Sequence, residues 1–563
     1  MSIKDASGSG REINKIWLNA YPEGVPAEVN INEFASIVDV LRYSVDKFRN
    51  NPAVANLGTV LSYDELDQKT RDFAAYLQQE IGLRKGDILA ILMPNILQYP
   101  IALFGALRAG LTVTNINPLY TPREIKHQLV DSGAVCVVAV ENFCANLAQV
   151  LGDTPVKKVI TTCIGDLLTF PKSMLVNFVI KHVKKMVAPF QLPNAISFNK
   201  ALEIGNGRKL NPVELHHEDL AFIQYTAGTT GSAKGVMLSH GNIVANIQQT
   251  SAWIGPFIQE GKEVIITPLP LYHIFSLTAN CLLFLKIGAL NYLITNPRDF
   301  KGFVKELKRT HFTAMTGVNT LFNSLLNTPG FSEVDFSSFH ITIGGGMAVQ
   351  QTVADRWKAV TGCTLIEAYG LTETSPGACI NPINLEKYNG RIGLPIPSTE
   401  CSIQNEEGEL LPIGEIGEIC LRGPQVMQGY FHRPEQTVAV LKPDGWFHTG
   451  DIGFMDEKGF VKLLERIDDM ILVSGFNVYP NEVENIVAEH PGVLEVAAIG
   501  VPDEKSGQVV KIFVVKKDPS LTEQDLIDHC KKELTAYKIP KTIVFRETLP
   551  KSPVGKILRR ELR

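Results

Sequence analysis

ILAILMPNILQYPIALFGALRAGLTVTNI, residues 88–116, decides the fold class. Ile88–Leu92 is a short apolar run and reads as a strand. Leu97–Arg108 has helical length and pattern, and Leu111–Ile116 reads as a second strand. Together they make a βαβ unit. Working outward, the same alternation recurs around Ala134–Val140, Val264–Thr267, Thr313–Thr316 and Ile341–Ile343, with helical stretches between them. That pattern predicts layered α/β sheets.

Beyond about residue 395 the texture changes to shorter strands and turns, as in Glu418–Arg422 and Gly459–Leu464. A charged cluster, Glu465-Arg-Ile-Asp-Asp469, then separates this region from a compact tail. The tail carries a helix near Asn481–His490, strands near Val493–Val501 and Val509–Lys516, and a helix near Leu521–Leu534. The expected fold class is therefore α/β. A large multi-layer N-terminal domain (1–466) of sheets and helices precedes a smaller α+β C-terminal domain (467–563).

A chain of 563 residues with 45% hydrophobic and 20% charged residues has ample material for more than one buried core. Its net charge of −5 offers no general attraction to nucleic acid, so any anion site must be local. The nine cysteines are scattered, without a C-x-x-C pair, and read as reduced thiols of a cytoplasmic protein. The polar start MSIKDASGSGREIN has no apolar h-region of a secretory signal. Ile265–Ile294, the most apolar long stretch, is broken by Pro268, Pro270, His273 and Lys286, and suits a core strand and helix better than a membrane span.

Leu175–Val187 (LVNFVIKHVKKMV) gathers Leu175, Val179, Val183, Met186 and Val187 on one helical face and Lys181, Lys184 and Lys185 on another. A basic amphipathic helix of this kind can lie on an anionic membrane surface, at the inner face of the cell membrane. The commoner outcome of the pattern is a surface helix whose apolar face meets the core.

The chemistry concentrates in Tyr225-Thr-Ala-Gly-Thr-Thr-Gly-Ser-Ala-Lys-Gly235, which follows a strand pattern at Leu220–Gln224. Gly228, Gly231 and Gly235 let backbone N–H groups approach a polyphosphate. Thr229, Thr230 and Ser232 add hydroxyl donors, and Lys234 adds a charge. It is not a Walker A loop, which ends in Gly-Lys-Ser/Thr.

This segment resembles the phosphate loop of the adenylate-forming superfamily: acyl-CoA synthetases, luciferases and peptide-synthetase adenylation domains. Tyr369-Gly-Leu-Thr-Glu-Thr374 resembles its second nucleotide motif and Trp446-Phe-His-Thr-Gly-Asp451 its ribose motif. Glu465–Asp469 resembles its hinge and Pro550-Lys-Ser-Pro-Val-Gly-Lys556 its C-terminal lysine motif. Likeness to bacterial long-chain fatty-acid–CoA ligases comes through NPLYTPRE (117–124), LPLYHIF (269–275), NPRDF (296–300), GGGMAVQQ (344–351) and SGFNVYPNEVE (474–484).

The resemblance implies a two-step ligase. A fatty acid and ATP give acyl-adenylate and pyrophosphate; coenzyme A then takes the acyl group and AMP leaves. Two anions must meet in the first step, so cations and aligned donors matter more than a general base. By resemblance, Thr230 and Glu373 hold Mg²⁺, a hard cation that prefers oxygen. Tyr225, Thr226, Lys234, Gly235, Gly370 and Thr372 belong to the nucleotide motifs. Asp451 receives the ribose hydroxyls with Arg466 beside it. Tyr369 lies against adenine, and Gly344, Gly345 and Gly346 allow close approach. Lys556 contacts the carboxylate and α-phosphate. His273 lies near the acyl site, although a satisfied core histidine explains that residue equally well.

The small domain is then mobile. It swings about Asp468 so that Lys556 leaves and a channel for the pantetheine arm opens past Gly475. Ala227, Ala233 and Glu465 depart from the commonest family residues without removing a charge or ligand that the mechanism needs. Rival readings are a medium-chain or aryl-acid ligase, an amino-acid adenylation domain and a non-catalytic homologue. LPLYHIFSL lacks the acid that commonly pairs with an amino substrate, and Lys234, Glu373, Asp451 and Lys556 are all present. A homodimer is compatible with the sequence, which does not set the oligomeric state.

Overall fold

The computed structural model describes residues 13–226 and 233–563. Two large mixed sheets form its body. The strands Ile88–Leu92, Thr112–Asn115, Cys136–Val140, Lys158–Thr162, Ile196–Ser197 and Leu220–Thr226 run parallel; Lys234–Ser239 and Gly429–Tyr430 extend this eight-stranded sheet in antiparallel fashion. The other sheet has nine strands. Its parallel centre includes Val264–Thr267, Ala314–Gly317, Ile341–Gly344 and Leu365–Gly370.

Both sheets are sealed by helices, as parallel sheets require. Gln98–Arg108 is buried along its whole length, which explains its nearly unbroken apolar sequence. The NPLYTPRE stretch has a local reason for its residues. Thr121 caps the helix Pro122–Ser132, Glu124 returns the bond in a capping box, and Pro122 occupies the first turn. The long apolar stretch holds a strand, a broken helical run from Ile274 to Lys286, and a second strand, Leu290–Leu293.

A four-stranded antiparallel sheet (Glu400–Gln404, Gly417–Arg422, Phe447–Met455, Val461–Arg466) follows. The last fold unit is a five-stranded sheet between Ile471 and Arg546, packed with Pro480–Ala488 and Glu523–Glu533 around its own apolar cluster. The fold is thus α/β, with a large N-terminal domain and a smaller α+β C-terminal one. No described helix is long and apolar enough to cross a membrane.

The basic amphipathic segment forms a continuous helical stretch, Lys172–Phe178 and then a π-turn at Val179–Val183. Its apolar side meets the core only in part, as Val176 packs on it and Val179 and Val187 are half-buried. Met174, Leu175, Phe178 and Val183 stay exposed, flanked by exposed Phe170 and Met186.

Candidate active site

The phosphate-loop motif joins two antiparallel strands, with Thr226 paired to Lys234 at its base. A Walker A loop would lead into a helix. Gly228, Thr229, Thr230, Gly231 and Ser232 lie outside the described residues. Both stems of the loop rest on the capped helix Pro122–Ser132. Tyr225 donates its hydroxyl to Asp131 at 2.7 Å, and Arg433 pairs with the same carboxylate at 2.9 Å. On the other stem, the His127 ring nitrogen lies 3.4 Å from the Ala233 carbonyl. Gly235 lies between Ile223 and the ring of Tyr225, and a side chain there would collide with Ile223, 2.6 Å from its Cβ.

The ribose motif lies on the strand Phe447–Met455. Asp451 is paired across the sheet with Arg466 and is 5% exposed. Its carboxylate accepts from the Tyr369 hydroxyl at 2.6 Å and from Arg466 Nε at 3.1 Å. Each oxygen keeps further acceptor capacity for a sugar hydroxyl. Glu418 braces the turn before it, accepting from Gly450 N–H and meeting His448 Nδ1, both at 2.8 Å. Burial pushes the Tyr369 phenol well up, so it remains a donor.

Tyr369 and Gly370 end the strand Leu365–Gly370, and Thr372 and Glu373 occupy the short turn after it. Glu373 Oε1 accepts from Tyr430 at 2.8 Å, and the Lys234 amine lies 5.1 Å from the centre of the Tyr430 ring. Burial raises the Glu373 pKa, and the Tyr430 hydrogen bond works against that rise. Tyr430 is the one side-chain donor to the Glu373 carboxylate among the described residues, and it uses Oε1. A carboxylate so placed fits a hard divalent cation. Gly344 and Gly345 have packing reasons for their identity: side chains there would crowd Leu365, Val349, Phe275 and the Ala368 carbonyl.

Lys556 projects from a tight turn closed by the Lys551–Ile557 bridge and by Ser552 N–H to the Lys556 carbonyl at 2.7 Å. The turn docks on the large domain, where Thr320 donates to the Gly555 carbonyl at 2.9 Å. Lys556 is exposed, yet its amine lies within electrostatic range of Arg466, Asp451, Arg559 and Asp469; desolvation and then Arg466 pull its pKa below the usual lysine range. Lys556 also bears on His273, which is half-buried and caps the turn Ile274–Ser276. Desolvation, helped by Lys556, lowers the histidine to about 4. Its Nδ1 accepts from Phe275 N–H at 3.3 Å, so the neutral ring carries its proton on Nε2 and offers a donor there.

The structure thus joins Tyr369, Asp451 and Arg466 by hydrogen bonds, brings Lys556 within electrostatic reach of them and of His273, and links Glu373 to Lys234 through Tyr430. Gly475 does not join them. It occupies, with Ser474, a left-handed turn between two short strands, with open space around its Cα. Asp468 lies exposed in the turn Ile467–Asp469 between the sheets. Sequence reading missed Tyr430, Asp131 and Arg433. Tyr430 and Arg433 sit in no periodic or chemically marked stretch and Asp131 is one polar position on an amphipathic helix, and the pairing of Gly429–Tyr430 with Val236 and Met237 brings Tyr430 to the site.

Residues 41–431 match the family model described as AMP-binding enzyme, and residues 482–556 match the AMP-binding enzyme C-terminal domain. A long-chain-fatty-acid–CoA ligase of Escherichia coli is 55% identical over 98% of both chains. The protein of the same name from Bacillus subtilis is 36% identical over 97% of both. The crystal structure of ATP-bound MatB from Rhodopseudomonas palustris superposes with a TM-score of 0.80 at 27% identity, covering 93% of this chain and 98% of that one. With motifs, fold and full-length relatives in agreement, the chain belongs to the AMP-binding enzymes, the adenylate-forming family.

Proposed function

We propose that the chain is an AMP-forming long-chain fatty-acid–CoA ligase. The observation that carries the chemistry is the Tyr369–Asp451–Arg466 cluster with the Lys556 turn docked on the large domain through Thr320, within electrostatic reach of that cluster and of His273. The chain-length class comes from the relatives, 53–56% identical over nearly the whole chain.

In the first step a fatty-acid carboxylate attacks the α-phosphorus of ATP. A bond forms between a carboxylate oxygen and phosphorus, and pyrophosphate leaves. Asp451 and Arg466 hold the ribose. Lys556 and the Nε2–H of His273 offset the charge gathering between the two anions, Lys234 serves the phosphates, and Tyr369 flanks adenine. Thr230 and Glu373 would hold Mg²⁺, which supplies charge neutralisation on the phosphates when bound. In the second step the thiol of coenzyme A attacks the acyl carbonyl and AMP leaves.

We place the domain boundary between residues 466 and 467 and the pivot at Asp468. Lys556 then withdraws between steps and the Gly475 turn approaches the thiol's path.

The reading extends to the membrane. Of the large apolar side chains exposed on the molecule, six fall between Phe170 and Met186, with Phe170 80% exposed. Lys184 and Lys185 stand beside them. Basic residues around an uncovered apolar face complement an anionic bilayer, where long-chain acids partition, so the chain works as a peripheral protein on the cytoplasmic leaflet.

Acid-dependent ATP–pyrophosphate exchange without coenzyme A tests the activity. Palmitate or oleate should drive it, and Lys556→Ala should abolish it while sparing thiolation of a supplied acyl-adenylate. Exchange driven by an aryl or medium-chain acid instead overturns the substrate class. For the membrane, Phe178→Ser with Lys184→Gln and Lys185→Gln should lower affinity for phosphatidylserine vesicles by roughly tenfold or more. Unchanged binding rejects this face.

A further inference from the structure

Lys234 and Glu373 carry opposite charges in one poorly solvated corner, and opposite charges there attract strongly. Yet no ion pair joins Lys234 to a carboxylate among the described residues. What separates them is Tyr430. Its hydroxyl donates to Glu373 Oε1 at 2.8 Å, while the Lys234 amine lies over the ring, 5.1 Å from its centre. The ring is fixed on every side that matters. Tyr430 is 7% exposed, its strand pairs with Val236 and Met237, and its own N–H donates to Thr437 Oγ1 at 2.9 Å. The same segment reaches Glu373 again through Met427 N–H, which donates to the Glu373 carbonyl at 2.8 Å.

We infer that Tyr430 is a positioning residue that keeps Lys234 and Glu373 from neutralising each other, so that each meets the nucleotide with its binding capacity intact. The two contacts use different parts of one side chain. The π face holds an ammonium without consuming any of its three N–H donors, which stay free for phosphate oxygens. The hydroxyl engages one carboxylate oxygen and leaves Oε2 for a metal ion. A phenylalanine could do only the first of these tasks and a leucine neither.

This inference rests on the roles proposed for Lys234 and Glu373, and calorimetric titration with ATP, with and without Mg²⁺, separates the two. The expected result is a split between two variants. Tyr430→Phe keeps the ring, so its metal-free ATP affinity stays within about twofold of the parent. Its gain in affinity on adding Mg²⁺ drops by roughly tenfold, the scale of a hydrogen bond to a charged group. Tyr430→Leu loses metal-free affinity as well, by roughly threefold.

A merely structural tyrosine would lower both affinities together in Tyr430→Phe, and that outcome overturns the inference. So does parent-like behaviour in both variants while Lys234→Ala and Glu373→Gln lose binding. If Lys234→Ala and Glu373→Gln themselves bind like the parent, the underlying assignment of the corner falls, and the inference with it.

Discussion

Glu367 sits two residues before Tyr369 on a buried strand, 6% exposed. The Tyr388 hydroxyl is 2.5 Å from its Oε2 and 2.6 Å from the Val349 carbonyl, yet one phenolic proton cannot serve both acceptors. A neutral carboxyl resolves the conflict. Glu367 then donates to Tyr388, Tyr388 donates to Val349, and Val349 N–H returns to Glu367 Oε1 at 3.2 Å. Burial pushes this carboxyl up to about 7, in agreement with that arrangement. Because its folded pKa lies above the unfolded one, its stabilising contribution is complete below about 4.5 and is lost as pH rises through about 7. Glu367→Gln mimics the neutral form. It should be more stable than the parent at pH 8 by up to about 3 kcal/mol, with the advantage gone near pH 4.5. Chemical unfolding at both pH values checks this; a pH-independent difference counts against the neutral carboxyl.

At the scale of elements, the helix Asn319–Leu326 is the dock for the small domain. Thr320 donates to the Gly555 carbonyl and Asn323 to the Leu494 carbonyl, each at 2.9 Å. Replacing them (Thr320→Val with Asn323→Ala) should slow adenylation by roughly thirtyfold, about 1 kcal/mol for each bond, and leave thiolation of supplied adenylate unchanged. Equal slowing of both steps would mean that the dock serves the fold instead. How much of this was legible beforehand follows from burial. Ile88–Leu92 and Val264–Thr267 match their expected limits to the residue, because strands covered on both faces read as unbroken apolar runs. Two-residue strands such as Gly429–Tyr430 exist only through their partners, and no local pattern marks them. Tyr430 was invisible for that reason, whereas Asp451, Glu373 and Lys556 announced themselves in motifs. The uncovered face at Leu175, Val183 and Met186 was legible as a pattern, but its exposure was not, since the same periodicity suits a packed helix; Phe178 lay outside the face the pattern marked.

Across the whole molecule, the small domain is tied to the large one chiefly by charged and polar contacts. Arg559 binds Glu465 at 2.8 Å, Asn481 N–H reaches the other Glu465 oxygen at 3.1 Å, and Asn481 Nδ2 donates to the Leu464 carbonyl at 3.2 Å; Glu484 and Asn481 hold Arg559 in place from within the small domain. Such an interface can open without exposing a large apolar surface. Locking it should therefore stop one step only. A side chain at residue 555 would start 2.8 Å from Thr320 Oγ1, so Thr320→Cys with Gly555→Cys brings two thiols together, at the cost of a left-handed backbone at 555. The oxidised protein should retain exchange of pyrophosphate and lose transfer to coenzyme A, with transfer restored by a reductant. Transfer by the locked form would argue that no swing is needed.

Arg466, whose guanidinium grips Asp451, immediately precedes the turn Ile467–Asp469. In the proposed roles, the axle of the moving part is thus mounted on the nucleotide's own seat. A small domain that pivots as proposed would leave the adenosine end where it is, a fixed reference for both reactions. AMP is then the natural last passenger to leave, since the clamp that holds it belongs to the half that does not travel.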